Sequence, residues 1–111
     1  AAIDYSENDG AVGSPEKVGA WLASVLGRFH SYQHLSSNAE IELDGDGARV
    51  RSMQYIAVKM EASDGERVVF SGIWFRDELH RTDAGWRITK RHEELAWRHN
   101  FPSDFTPPVA D

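Results

Sequence analysis

Residues 39–48, AEIELDGDGA, decide the fold: Ala39, Ile41 and Leu43 alternate with charged residues and run directly into a glycine-rich turn. An apolar period of two is typical of a strand with one buried face, and Asp-Gly pairs favour the tight turns of β-hairpins. Two more turns interrupt the remaining chain, so the pattern predicts long strands joined by hairpins. The predicted strands are 32–44, 48–60, 67–81 and 86–97. Antiparallel strands of this length twist and curl, which leaves a hollow side that must be filled.

One helix precedes this sheet. Ser14 is suited to the N-cap of the helix and Pro15 to its first helical position. Apolar residues then recur at steps of three and four, which predicts an apolar stripe and a helix that ends near His30. The stripe consists of Val18, Trp21, Leu22, Val25, Leu26 and Phe29. Together with a short strand at residues 2–5, the pattern predicts an α+β fold in which the helix is too short to cover the whole sheet.

The composition excludes several classes of function. The 111 residues fit one domain, residues 1–111, with an irregular, proline-containing tail at 100–111. A net charge of −6 argues against nucleic acid or an anionic membrane as a partner, because both favour a basic surface. The lack of cysteine excludes disulfides, zinc–thiolate sites and a cysteine nucleophile, and it is compatible with the cytoplasmic location that we expect. No apolar run approaches the roughly 20 residues of a membrane span.

The sequence also lacks the signatures of common cofactor sites. Gly45 and Gly47 belong to a hairpin turn and do not precede a helix, so they are not a phosphate-binding loop. His30 and His34 have the spacing of two metal ligands on one helix face, but the helix is predicted to end at His30. We therefore expect that the protein uses neither a metal nor a nucleotide cofactor.

Three segments resemble the SnoaL-like branch of the nuclear-transport-factor-2-like superfamily: HLSSN at 34–38, LDGDGA at 43–48 and FRDELHRTDAGWRI at 75–88. The resemblance runs from Ile3 to about Trp97. It implies a cone, in which a curled antiparallel sheet wraps N-terminal helices around a deep apolar pocket. Members of this branch begin with one or two helices ahead of the position of Ile3, so we expect further residues before Ala1.

The resemblance implies that His34 is a general base. In dehydratase-like and dehydrochlorinase-like members, a histidine at this motif takes a carbon-bound proton, and an aspartate on an N-terminal helix orients it. That aspartate would lie before Ala1. A neutral imidazole near pH 7 suits this chemistry when a neighbouring group fixes its tautomer. Strict alternation places His34 on the face opposite Ile41, and a bulge at residues 36–38 would reverse this.

Arg91 is the second catalytic candidate, because dehydrochlorinase-like members carry a pocket arginine at the corresponding place. Its guanidinium could stabilise a leaving anion or an oxyanion. Pairing with carboxylates is the alternative, and His92, on the opposite face of the same strand, is the rival pocket residue. Asp77 falls on an apolar face, so it is either paired, with Arg81 or Arg87, or has a raised pKa. The other two histidines of this half, His80 and His99, are expected on the solvent side.

The implied activity is that of a cofactor-independent lyase or isomerase of dehydratase, dehydrohalogenase or polyketide-cyclase type. Its substrate would be a small apolar molecule. The candidate substrate-binding residues are Trp21, Tyr32, Tyr55, Phe75, Asp77 and His92. A non-catalytic ligand-binding or dimerisation module of the same fold is the alternative. The aromatic surface around Trp74, Arg76 and Trp97 predicts a homo-oligomer, either a dimer or a trimer.

Overall fold

The computed structural model describes residues 1–103 and 105, which form one α-helix and six strands in a single sheet. The elements are β1 (Ala2–Asp4), β2 (Val12–Gly13), α1 (Pro15–Leu26), β3 (Phe29–Asp44), β4 (Gly47–Ala62), β5 (Gly65–Thr82) and β6 (Gly85–His99). The strand order is β2-β1-β6-β5-β4-β3, and β3 to β6 are antiparallel neighbours. This is the predicted α+β cone, with a curled sheet that does not close. Of the predicted tail, residues 104 and 106–111 lie outside the described residues.

Helix α1 begins where the sequence predicts and ends earlier. The Ser14 hydroxyl accepts a hydrogen bond from the Lys17 backbone N–H at 3.3 Å, and Pro15 occupies the first turn. The helix ends at Leu26 because Gly27 caps it, and β3 has already begun at Phe29. The predicted end near His30 was therefore wrong, and His30 is a strand residue. No helix of the described residues is long and apolar enough to cross a membrane.

A β-bulge in β3 decides which way His34 points. The bulge lies at Asn38, whose φ is 55°, and it adds one residue to β3. His34 consequently pairs with Ile56 of β4, whereas Ile41 pairs with Val50. Ile56 and Val50 lie an even number of residues apart, so they face the same side of β4. His34 and Ile41 thus share one face of the sheet, which is the reversal that a bulge at this place predicts.

The two faces of the sheet have different surroundings. The inner face is the one on which α1 and the N-terminal segment pack, and its centre is formed by Ile73 and Phe75 of β5 against Val18 and Tyr5. The outer face is the opposite one. Helix α1 covers only part of the inner face. Leu43, near the turn between β3 and β4, keeps 72% of its surface exposed.

Candidate functional site

A pocket of about 280 Å³ lies between α1 and the inner face of the sheet. Its wall is mostly apolar and aromatic, with Trp21 and Leu22 from the helix and Val58, Val69 and Phe75 from the sheet. A few polar side chains interrupt this wall, namely Asn8, His34, Ser71, Glu93 and Arg98. An apolar cavity with a small number of placed polar groups is the usual form of a small-molecule site.

His34 enters the pocket from β3 with its ring held from behind by Gln54. The His34 Nε2–H donates to Gln54 Oε1 at 2.7 Å, and Gln54 is only 3% exposed. The amide nitrogen of Gln54 donates in turn to the hydroxyls of Ser36 and Ser52, each at 2.9 Å. With the amide nitrogen of Gln54 assigned to the serine side, the amide oxygen faces His34, and this assignment places a proton on the imidazole Nε2. The lone pair of this tautomer lies on Nδ1.

Asp77 and Arg91 form a bidentate ion pair on the inner face. Arg91 Nε and Nη2 donate to the two carboxylate oxygens of Asp77, both at 2.8 Å, and Asp77 is 7% exposed. The guanidinium also lies 4.0 Å from the ring centroid of Phe75. The hydrogen bond with Asp77 raises the pKa of Arg91 above its usual value. The pair forms because β5 and β6 place these two residues directly opposite each other, so the partner of Asp77 is neither Arg81 nor Arg87.

Glu93 is a pocket residue that the sequence analysis missed. It lies on the inner face of β6, directly across from Phe75, and it is 7% exposed. The Asn8 side-chain amide donates to Glu93 Oε1 at 2.6 Å. Burial is the main reason that the pKa of Glu93 is raised above its usual value. The signal was present in the sequence, since alternation along β6 places Glu93 with Leu95 on the apolar face.

The amino-acid sequence, like the fold, is similar to that of known proteins. Residues 1–92 match the model of the SnoaL-like domain family. The chain belongs to the SnoaL-like family. An uncharacterised protein of Mycobacterium tuberculosis is 39% identical to it over 93 residues, and this match covers 84% of the chain and 63% of that protein. The chain therefore spans less than two thirds of the length of this SnoaL-like relative.

Solved structures of this SnoaL-like fold include proteins with named activities. One is a putative scytalone dehydratase from Novosphingobium aromaticivorans. Its TM-score is 0.70 and its sequence identity 18%, and the match covers 99% of this chain and 72% of that one. Another is a hexachlorocyclohexane dehydrochlorinase, with a TM-score of 0.69 and 18% identity over 86% of this chain and 66% of that one. At this identity the likeness establishes the fold alone, a curled-sheet cone.

The predicted site residues of this SnoaL-like chain fall into three groups. Trp21, Tyr32, His34 and Phe75 line the pocket. Tyr55 and His92 do not line it, because both lie on the outer face of their strands; the ring of Tyr55 stacks on Phe70 at 6.0 Å. The remaining two, Asp77 and Arg91, reach the inner face but engage each other beyond the pocket wall.

A larger cleft, of about 460 Å³, is lined mainly by charged side chains of the outer face. Several of these charges pair locally, such as Arg49 with Glu42 at 3.2 Å and Arg76 with Glu94 at 3.0 Å. Within residues 1–103 and 105, no group of three histidine or acidic side chains is arranged to hold a metal ion, so we assign no residue to metal binding. The inner pocket combines enclosure with titratable groups and is the candidate functional site.

His92 ties the N-terminal segment to β6. Its Nε2 lies 2.5 Å from a carboxylate oxygen of Glu7, and its Nδ1 lies 3.4 Å from one of Asp4. The hydrogen bond to Glu7 is the largest cause of the raised pKa of His92, and the charges of Asp4 and Glu7 add to it. The other oxygen of Glu7 accepts from the Leu95 backbone N–H at 3.2 Å. Protonated His92 therefore holds β1 and the turn that follows it against β6.

This contact predicts a pH-dependent contribution to stability. The pKa of His92 is higher in the folded than in the unfolded state, so its contribution is complete below the unfolded pKa and is lost as pH rises through the folded pKa. We expect His92→Gln to lower the free energy of unfolding most near about pH 6 and least above about pH 8. Urea unfolding at a series of pH values measures this, with the exposed His80→Gln as control. A loss of equal size at every pH would contradict it.

Proposed function

We propose that this SnoaL-like protein is a cofactor-independent lyase or isomerase that removes a carbon-bound proton from a small apolar molecule, with His34 as the general base. The observation that carries the proposal is an imidazole in the wall of an apolar pocket, with its Nε2 hydrogen-bonded to the side-chain amide of buried Gln54. A hydrogen bond that fixes the tautomer of an imidazole keeps its unprotonated nitrogen available to accept the substrate proton.

The reaction class is dehydration, dehydrohalogenation or aldol-type cyclisation, since each begins with loss of such a proton. Solved proteins of the same fold are named as a putative dehydratase and a dehydrochlorinase, which supports this range by analogy of fold. Trp21, Tyr32 and Phe75 would hold the substrate through apolar contact. A pocket of about 280 Å³ is near the lower limit for ligand sites, which favours a substrate of one or two rings.

A ligand-binding module without catalysis is the second candidate. Two observations favour it. The His34 residue is exposed, and its hydrogen-bond partner in the structure is the amide of Gln54 rather than a carboxylate.

Exchange of the α protons of cyclohexanone for deuterium in heavy water distinguishes the two functions. A catalytic base accelerates this exchange, and a binding module does not. Proton NMR follows the loss of the α signals in the presence of the wild-type protein or of His34→Gln.

The proposed assembly is a homodimer or homotrimer formed through the outer face. Aromatic side chains cluster there, with Tyr55 39% and Trp97 45% exposed. Their rings lie 6.0 Å apart, so they form one continuous apolar patch. We expect light scattering at high micromolar concentration to give two or three times the chain mass, and Trp97→Arg to lower it. Trp86→Arg, which changes an exposed tryptophan at the other end of β6, is the control, and a monomeric wild type would contradict the proposal.

A further inference from the structure

Two groups that can move protons lie on either side of Phe75 in the pocket. The imidazole of His34 on β3 has its ring centroid 6.1 Å from that of Phe75. Glu93 on β6 is the direct cross-strand neighbour of Phe75, and such neighbours have Cβ atoms about 5 Å apart. Both line the same pocket. A single-ring molecule lying over Phe75 can therefore face a base on one side and a carboxyl group on the other.

The contacts of Glu93 assign separate roles to its two oxygens. Arg98 donates from Nε at 3.1 Å and from Nη2 at 2.5 Å to the side-chain oxygen of Asn8. Since a guanidinium only donates, the amide oxygen of Asn8 must face Arg98, and the amide nitrogen then faces Glu93. That nitrogen donates to Glu93 Oε1. Oε1 is thus the acceptor, and the proton of the neutral acid belongs on Oε2.

The groups around Glu93 have opposite effects on its pKa. Burial favours the neutral acid and is the largest influence on its pKa. The hydrogen bond from Asn8 and then the charges of Arg98, Arg91 and His92 favour the carboxylate. The nearby Tyr5 phenol has a pKa raised by burial and then by the charge of Glu93, so it stays neutral. Arg91 is itself neutralised by Asp77, which weakens its pull on Glu93.

We infer that Glu93 is the proton donor of this pocket and that the group which leaves the substrate is a hydroxyl rather than a halide. This inference rests on the proposed function. His34 Nδ1 takes a proton from the carbon next to a carbonyl, the C–H electrons form the new C=C bond, and the C–O bond at the next carbon breaks. Glu93 Oε2 gives its proton to the departing oxygen, which leaves as water. Transfer of the proton from His34 to Glu93 through solvent restores both groups.

The charges in the pocket wall favour a hydroxyl over a halide. A halide leaves as an anion and needs a cation beside it, but not a proton. Near the pocket, the charge of Arg91 is neutralised by Asp77, and the guanidinium of Arg98 is held by Asn8 and lies 5.4 Å from the ring centroid of Phe101. A hydroxyl needs a proton in order to leave, and Glu93, a carboxyl group in the pocket wall whose pKa is raised by burial, is suited to supply it.

Elimination from 3-hydroxycyclohexanone and from 3-chlorocyclohexanone separates the two roles, because both probes give the same cyclohexenone, which ultraviolet absorbance measures. After subtraction of the buffer rate, we expect Glu93→Gln to slow loss of water by about 10²- to 10⁴-fold and loss of chloride by less than about threefold. His34→Gln should slow both. Glutamine keeps the shape of the side chain and can still accept from Asn8. Glu94→Gln, on the outer face of the same strand, is the matched control.

The outcomes distinguish this inference from the proposed function. Equal loss of both reactions in Glu93→Gln, or no loss of either, would overturn the role of Glu93 while leaving His34 as the base. No enzymatic elimination from either probe would overturn the proposed function, and the inference would fall with it. A measurement without substrate adds to this: carbon-13 NMR should show that the Glu93 carboxyl stays protonated to a higher pH in the folded protein than in the urea-unfolded chain. A folded-state carboxyl that ionises at the same pH or at a lower one would contradict proton donation.

Discussion

Replacement of His34 by glutamine is expected to slow the protein-catalysed exchange of cyclohexanone α protons by about 10²- to 10⁴-fold. Glutamine retains a hydrogen-bonding group of similar reach, so it can still contact Gln54, but it cannot accept the substrate proton. His34 lines the pocket and is not part of the buried apolar core, so the free energy of unfolding should change by less than about 0.5 kcal/mol. The expected result is thus a loss of catalysis in a folded protein.

His80→Gln provides the matched control, because His80 is an exposed histidine on β5, two strands away from β3. It should exchange the α protons at the wild-type rate. Exchange at the buffer rate with the wild-type protein would contradict the enzyme proposal and favour the binding module. Equal rates for wild type and His34→Gln, both above the buffer rate, would place the base elsewhere.

The tautomer of His34 gives this experiment a second readout that needs no substrate. Nitrogen-15 NMR of the imidazole should show the proton on Nε2 in the wild-type protein, since buried Gln54 accepts it there. Gln54→Leu removes the acceptor, so both tautomers should appear and exchange should slow, although His34 itself is intact. Gln54 is in this sense a positioning residue. A mainly Nδ1–H form in the wild type would contradict this.

Local signals were enough to predict the hairpins. Asp-Gly turns and the alternation around Ile41 and Leu43 depend only on neighbours in sequence, and the strands that they predict are present with slightly different ends. The end of α1 was predicted less well, because the apolar stripe continues through Phe29. That side chain packs on the second core cluster from β3 rather than from the helix. Periodicity alone does not distinguish these two origins.

The site was harder to predict because it depends on register. One extra residue at Asn38 decides whether His34 faces the pocket or the outer face, and a sequence pattern shows only that a bulge can occur there. Glu93 was missed for a related reason. The run of charged residues around it looks like a solvated strand, and only the pairing of β6 with β5 and the contact with distant Asn8 bury it.

Removal of the Asp77 carboxylate is expected to cost about 3 to 5 kcal/mol of unfolding free energy. In Asp77→Ala the guanidinium of Arg91 would lose both of its 2.8 Å hydrogen bonds while the protein still encloses it against Phe75. The Arg91 side chain is 26% exposed, so water relieves part of this penalty and the lower end of the range applies. Urea unfolding of the purified variants measures it. Glu78→Ala, an exposed carboxylate one residue further on, should stay within about 0.5 kcal/mol of wild type.

A double variant separates the structural from the catalytic role of Arg91. Asp77→Leu with Arg91→Met replaces the ion pair by apolar side chains of similar size, which is often neutral or stabilising. We expect it to recover most of the stability lost in Asp77→Ala. If Arg91 serves only to hold Asp77 and the ring of Phe75, the double variant should also keep the α-proton exchange rate within about threefold of wild type. A stable double variant that has lost exchange would instead give the Asp77–Arg91 pair a role in catalysis, because the fold would be intact and only the charges of the pair would be missing.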